Sequence, residues 1–272
     1  MTTAALSPSF GGILRSEWIK LRSLRSTFWC FLIMVVITIG LGFLLAATFR
    51  SDSELPVDAQ QGIWVQVATL GIGFSQLVAA VLGALVITGE FGTGMIRSTF
   101  AAVPSRFPAI AAKGLVVGVA TFVVGLVSIV ITAVVTAPLL PSVGIHPDLG
   151  DGAAWLAFVG GAGYLALIAL LSYSIGAIIR NSAGGIATAL GLILVLPTVL
   201  QIVAGVTRAT WAQNLGKFLP SDAGAQMYSY PSGATTPPDV LVLEPWQGLL
   251  VLAAWVVVLF AVASVLIKRR DA

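Results

Sequence analysis

Six long runs of apolar residues divide this chain, and short polar segments separate them. A membrane-spanning helix needs about 20 mostly apolar residues, and every one of these runs reaches that length. A transmembrane β-barrel would instead show segments of about ten residues in which apolar and polar positions alternate. The pattern therefore predicts an all-α polytopic membrane protein with one six-helix transmembrane domain over residues 28–267. The six predicted spans are residues 28–49, 64–88, 115–139, 155–179, 184–206 and 246–267.

The composition excludes the common soluble alternatives. Of the 272 residues, 58% are hydrophobic and only 9% are charged, whereas soluble domains carry about 25% charged residues. An ordinary soluble enzyme, a disordered protein and a nucleic-acid-binding domain are therefore excluded. The chain has one cysteine, Cys30, inside an apolar run, and one histidine, His146, in a polar loop. A single cysteine forms no internal disulfide, and a catalytic Cys–His pair is not expected.

The charged residues are divided unequally between the two sides of the predicted bundle. Six spans place both termini on one side. That side comprises residues 1–27, 89–114, 180–183 and 268–272, and it holds 11 of the 14 basic residues but 3 of the 11 acidic ones. The positive-inside rule assigns this basic side to the cytoplasm. We therefore predict a cytoplasmic N-terminal segment, 1–27, and a cytoplasmic tail, 268–272.

The predicted spans themselves contain no charged residue. Carriers that are driven by ions or protons usually keep acidic, lysine or histidine side chains within their spans. Glu90, at the cytoplasmic end of the second span, is the nearest exception. The sequence therefore disfavours an ion-coupled carrier or channel.

The segment before the first span has an amphipathic pattern. Leu14, Trp18, Leu21 and Phe28 follow helical spacing, and basic residues surround them. This pattern predicts a helix that lies in the cytoplasmic membrane interface, where basic side chains meet anionic lipid. The alternative is a solvated basic flank that only sets the topology. The residues assigned to the interfacial helix are Arg15, Trp18, Lys20, Arg22 and Arg25.

The last outer connection, residues 207–245, is the longest loop on that side. Trp211, Leu215 and Phe218 occupy one face of a possible helix, and a segment rich in proline and glycine follows them. This pattern predicts a short interfacial helix followed by an irregular loop. One interpretation is a lid over the exit of a pathway, and the other is a loop that only connects two helices.

The cytoplasmic loop at 89–114 carries the most specific pattern. Glu90 is followed by glycines that permit a sharp turn. Residues 96–103 can then form a short helix that Pro104 terminates, with Arg97 and Arg106 at its two ends. A short helix of this kind suits docking into a groove on a soluble partner. Alternatively, Glu90 is a helix-end acid that pairs with Arg97 or Arg106.

This loop resembles that of the type-2 ATP-binding cassette (ABC) exporter permeases. The shared pattern is Glu-Phe-x-x-Gly-x-Ile-Arg-x-Thr followed by Pro-x-Arg, and the chain departs from the family at Gly92 and Met95. The basic N-terminal helix, the six spans and the long last outer loop are also similar to that family. The positions that match are Glu90, Phe91, Gly94, Arg97, Thr99, Pro104 and Arg106.

The resemblance implies a permease subunit of an ATP-driven exporter in the cytoplasmic membrane of a bacterium. A separate ATPase subunit, which would bind ATP and Mg²⁺, would dock on this loop, and a second permease copy or a paralogue would complete the transporter. The chain contains no Gly-x-x-x-x-Gly-Lys-Ser/Thr phosphate-binding loop, so we expect it not to be an enzyme, and we expect no cofactor or metal in it. The scattered Thr, Ser and Gln in apolar spans suit a lipophilic or amphipathic substrate. The alternative function is a non-transporting membrane scaffold or sensor for a soluble partner.

Overall fold

A computed structural model of the chain describes residues 9–50, 56–207, 210–231 and 241–269. These residues form helices joined by short turns, and no strand occurs among them. A 3₁₀ turn at Leu140–Val143 and a π turn at Gly191–Val195 accompany twelve α-helices. The α-helices are α1 (Phe10–Ser23), α2 (Arg25–Thr48), α3 (Val57–Thr69), α4 (Ile72–Thr93), α5 (Met95–Ala102), α6 (Phe107–Thr136), α7 (Gly152–Ile179), α8 (Ser182–Leu190), α9 (Leu196–Thr207), α10 (Thr210–Gly216), α11 (Pro220–Gln226) and α12 (Pro245–Arg269).

Six helical stretches are long and apolar enough to cross a membrane, which confirms the predicted number. They are α2, α3 with α4, α6, α7, α8 with α9, and α12. Each stretch begins before its predicted span, because backbone hydrogen bonding continues past the point where hydropathy falls, whereas α2 and α6 end one and three residues before the predicted ends. The third span begins at residue 107 and the second ends at residue 93. Glu90 and Lys113 therefore lie inside helices, and the view that the spans are free of charge holds only for their middle parts.

Helix α7 occupies the centre of the bundle and packs against α4, α6 and α12. Small residues allow these approaches. A Cβ at Gly83 of α4 would collide with the backbone of Ala169, and Gly118 of α6 lies against Leu170. Gly118 therefore permits close helix packing, as small residues do in membrane helices.

The second and fifth spans are both interrupted. The second is broken at Leu70–Gly71, where a Cβ on Gly71 would collide with the backbone of Thr38 in α2. In the fifth span the π turn directly precedes Pro197. Proline has no backbone N–H to donate, so a regular α-helical ladder cannot continue through it. The irregularity near Pro197 takes the form of a widened turn at Gly191–Val195.

The described part of the long connection after α9 contains two short helices. The predicted helix is present as α10, and Trp211, Leu215 and Phe218 are all exposed. Helix α11 packs against α12 and α7. The following segment is tied to the start of α7, since Tyr230 donates a hydrogen bond of 2.8 Å to Asp151. Residues 232–240 of the predicted irregular loop lie outside the described residues, and the lid stays a prediction.

Candidate coupling site

The turn from α4 to α5 is built around Gly94. Its φ of 72° lies in the left-handed region, which glycine adopts without the steric cost that a side chain would bring. Helix α5 begins at the next residue and ends at Ala102, just before Pro104. The predicted short helix at 96–103 is therefore confirmed, with each boundary shifted by one residue.

Helix α5 has one face buried in the bundle and one face exposed. Ile96 and Phe100 are buried in an apolar cluster with Tyr173 of α7 and Ile267 of α12. Arg97 and its neighbours on the other face are exposed. The cluster also contains residues of α4 and α6, so the buried face attaches α5 to four spans, and the exposed face remains accessible to a partner.

Two arginines with positive φ angles make contacts around α5. Arg106, with φ 55°, stacks over the ring of Phe100 at 5.5 Å and donates a hydrogen bond of 2.8 Å to the carbonyl of Ile267. Arg180, with φ 61°, lies over the ring of Phe91 at 5.0 Å. A guanidinium over an aromatic face contributes about 0.5–2 kcal/mol. Phe91 and Arg106 of the sequence motif are therefore positioned by contacts within the chain.

Four charged residues from three helices form an ion-pair cluster beside α5, which we call the ionic quartet. It consists of Glu17 and Lys20 of α1, Glu90 of α4 and Lys113 of α6. Lys113 contacts both carboxylates, with an Nζ–Oε1 distance of 2.8 Å to Glu90. Lys20 also contacts both, at 2.8 Å to Glu17 and 3.1 Å to Glu90. Three helices that are distant in the chain are thus joined by one network.

The quartet extends to α5 through Thr99. Its Oγ1 accepts a hydrogen bond of 3.3 Å from Lys20 Nζ, and it also donates one to the carbonyl of Met95. Lys20 therefore bridges Glu17, Glu90 and Thr99. A displacement of α5 would therefore alter the contacts of both α1 and α4.

The quartet is balanced in charge and largely removed from solvent. Glu17, Glu90 and Lys113 are each at most 6% exposed, while Lys20 is 28% exposed. Burial alone would lower the pKa of Lys20, but its hydrogen bond to Glu17 and the charges of Glu90 and Glu17 together raise that pKa above its ordinary value. Buried ion pairs survive only when charge and hydrogen bonding compensate the loss of water. All four residues are therefore held together as charged partners.

The structure corrects one interpretation of Glu90. Pairing with Arg97 or Arg106 was an alternative from the sequence, but the partners of Glu90 are Lys113 and Lys20. The two arginines make other contacts. Arg97 is exposed on α5, and Arg106, just after α5, lies over the ring of Phe100. That alternative is therefore wrong.

Glu17 and Lys113 were not among the site residues predicted from the sequence. Glu17 lies four residues after Ile13 and four before Leu21, and these three form the buried face of α1. In the sequence, this spacing already places Glu17 on the same helix face as two apolar residues. The stripe predicted from the sequence shares Leu21 with this buried face, but its Trp18 is 43% exposed and its Phe28 is 62% exposed. A helix, α1, is present in this segment, and its position in the membrane interface stays a prediction. Arg15 and Arg22 are exposed on α1, whereas Arg25, also exposed, is the first residue of α2 and not part of the predicted helix.

These features define a multi-pass helical membrane protein in which a short amphipathic helix is attached to the spans by a buried ionic network. A comparison with protein families places it more closely. The family model described as "ABC-2 family transporter protein" matches residues 12–272. The chain therefore belongs to the ABC-2 family of transporter proteins. A comparison with individual curated proteins found no match.

Family membership fixes the general role of the chain. An ABC-2 permease is a membrane component that is not itself an ATPase, and it normally pairs with an ABC ATPase subunit. The six apolar stretches agree with a transmembrane permease component. Among the described residues, no group of His, Cys, Asp and Glu side chains could hold a metal ion.

Proposed function

We propose that this chain is the permease subunit of an ATP-driven exporter, and that the ionic quartet transmits the movement of the ATPase to the spans. The observation that carries this proposal is the position of the quartet. It joins α4 and, through Thr99, α5 to both α1 and α6. A force applied to α5 is therefore transmitted through Lys20 to α1, and through the two glutamates to α6.

The exposed face of α5 is the surface we assign to the ATPase. Glu90, Phe91 and Thr99 are held by contacts within the chain, so their role is to transmit force. Arg97 is exposed and available to contact the partner. When the ATPase moves α5, the ion pairs of Glu90 carry α1 and α6 along, and the pathway changes between inward-facing and outward-facing states.

The complete transporter in this proposal contains two permease subunits and two ATPase subunits. The second permease is another copy of this chain or a paralogue. ATP and Mg²⁺ bind in the ATPase, and the basic side of the bundle faces the cytoplasm of a bacterial cell. The substrate is lipophilic or amphipathic, and it moves outward.

Reconstitution tests the proposal. The chain and its partner ATPase subunit would be placed in proteoliposomes, with ATP hydrolysis and efflux of candidate amphipathic compounds measured together. We expect Glu90→Gln to reduce the ATP-dependent flux by tenfold or more, because it removes the charge that both lysines bind. Glu244→Gln is the matched control, since this acid is exposed and lies outside the quartet. Full flux in Glu90→Gln would overturn the role of the quartet, and ATP hydrolysis without any flux would favour a scaffold or sensor.

A second measurement keeps the docking surface testable if Glu90→Gln folds poorly. Ser98 is exposed on α5. In a Cys30→Ser chain, which has no other cysteine, Ser98→Cys should form a cross-link to the ATPase subunit. Leu249→Cys, exposed on α12, should not. Equal cross-linking at both positions would contradict docking on α5.

A further inference from the structure

A groove of about 460 Å³ lies in the corner where α1 meets α2, and α6 contributes its third wall. Only Leu24 separates the two helices, and its extended backbone turns the chain from one to the other. The volume falls in the range of about 300–1,000 Å³ that small-molecule sites occupy. We call this feature the corner groove. Its lining includes Trp18 and Arg22 of α1, Phe28 and Phe31 of α2, and Val119 and Val123 of α6.

The corner groove runs from the edge of the membrane towards its interior. Helix α2 is the first span and begins at Arg25, so Arg22 lies just before the chain enters the membrane. On α6, Val123 is ten residues beyond Lys113 of the ionic quartet, which is about 15 Å along an α-helix. The charged end of the groove is therefore at the membrane surface, and its apolar walls lie at the depth of lipid acyl chains.

The apolar walls are open on one side and closed on the other. Phe28, Val119 and Val123 are 62%, 51% and 50% exposed, so the rest of the chain leaves them uncovered. Leu21 and Ala120 also line the groove, and they are only 4% and 6% exposed because α1 and α6 pack together there. A groove of this shape can hold an acyl chain that enters from the surrounding lipid.

The surface end of the groove carries a positive charge that the chain does not neutralise. Arg22 lines the groove and is exposed, whereas the ion pairs among the described residues involve Lys20 and Lys113. None of the described residues that line the groove is acidic. A zwitterionic headgroup would bring a cation that has no acidic partner here. An anionic headgroup presents only oxygens to the guanidinium, which binds phosphate well.

We infer that the corner groove binds one anionic phospholipid from the leaflet at the basic side of the bundle. The phosphate lies against Arg22, and Trp18 packs beside the headgroup, as aromatic rings do at membrane interfaces. One acyl chain lies between Phe31 and Val123. The lipid contacts α1, α2 and α6 together and so supports the helix that carries Glu17 of the ionic quartet. Binding needs only this chain in a bilayer, so its test does not depend on ATP-driven transport.

The probe for the test is phosphatidylglycerol with a photoreactive diazirine in one acyl chain, added in trace amount to the full chain in phosphatidylcholine nanodiscs. Mass spectrometry should find saturable labelling on the peptides that contain Phe31 and Val119–Val123. Unlabelled phosphatidylglycerol should displace the probe about fivefold better than phosphatidylethanolamine, because one arginine near the membrane surface favours an anionic lipid by that factor. Equal displacement by the two lipids would overturn the inference. Labelling that never saturates would also overturn it, because it would show only transient contact with the surrounding lipid.

A pair of charge variants separates a defined site from a general attraction of α1 to anionic lipid. Arg15 is also exposed on α1, but it does not line the groove. Arg15→Gln therefore removes the same charge outside the site. We expect Arg22→Gln to lose the preference for phosphatidylglycerol and Arg15→Gln to retain it. Equal losses in the two variants would mean that the attraction is diffuse, and the site would be refuted.

A variant that fills the groove tests the position of the acyl chain. Val123→Trp should reduce the saturable labelling about tenfold, because the larger side chain occupies the space of the lipid. Val134 is 54% exposed, lies three turns further along the same face of α6 and does not line the groove. Val134→Trp should therefore be labelled like the wild type, and undiminished labelling in Val123→Trp would contradict the location. Weaker labelling in nanodiscs that hold two copies of the chain than in those that hold one would show that a second copy covers the groove, which would also overturn the inference.

Discussion

Lys113 and Lys20 contact the same two glutamates, yet they differ in their exposure to solvent. The side chain of Lys113 is 6% exposed and that of Lys20 is 28% exposed. Replacing either lysine by methionine removes one positive charge and leaves Glu17 and Glu90 to share the other. The pair Lys113→Met and Lys20→Met therefore isolates the effect of burial from the effect of charge.

The expected losses follow from that difference. Removing one partner of a buried ion pair lowers the free energy of unfolding by about 3–5 kcal/mol, because the remaining charge stays in a low-dielectric site. We expect this loss for Lys113→Met. Water can reach the position of Lys20 and replace its ammonium group, so we expect a loss of about 1 kcal/mol for Lys20→Met.

Equilibrium unfolding in mixed detergent micelles, followed by tryptophan fluorescence, measures both losses. The double variant Lys113→Met/Glu90→Gln restores the charge balance and leaves the pair of Glu17 and Lys20. It should be more stable than Lys113→Met alone, which is a non-additive outcome that a double-mutant cycle detects. Equal losses in the two single variants, or an additive double variant, would refute the reasoning.

Two further predictions concern the opposite end of the bundle. Gly160→Ala should cost about 1–3 kcal/mol, because the new Cβ would collide with the carbonyl of Met227. Thermal melting measures this loss. Gly40→Ala, where a Cβ meets nothing within 4 Å, is the control, and an equal shift in both variants would contradict the close approach. The hydrogen bond to the Asp151 carboxylate raises the pKa of Tyr230 from 10.0 to about 12. A raised pKa means that the protonated form is stabilised by folding. The contribution of Tyr230 is therefore complete below pH 10.0 and disappears as pH passes about 12. The melting temperatures of wild type and Tyr230→Phe should converge over this range, and a constant difference would show that the phenol proton is not involved.

The features that were predictable from the sequence depend on residues that are close together along the chain. Six apolar runs are local, and so is the short helix between Gly94 and Pro104, because a glycine turn and a proline stop mark its ends. Their boundaries were less accurate, since hydropathy does not record where helical hydrogen bonding ends. The third span begins eight residues before the predicted start, which is why Lys113 was assigned to a loop.

The ionic quartet was not predictable in the same way, because it depends on tertiary structure. Lys113 lies 96 residues from Glu17 and 23 from Glu90 in the chain. Nothing in the local pattern around Glu90 distinguishes a distant lysine from the nearby Arg97 and Arg106. The helical spacing of Glu17 between two buried apolar residues was the available signal, and it indicates burial without naming a partner.

The equal numbers of positive and negative charges in the quartet also determine how much net charge these four residues move across the membrane potential. Moving one elementary charge through the whole membrane potential involves about 2.3 kcal/mol per 100 mV. The quartet has two acidic and two basic members, so its displacement as a unit carries no net charge through the field. Any voltage dependence of the conformational change would therefore come from charged residues outside the quartet.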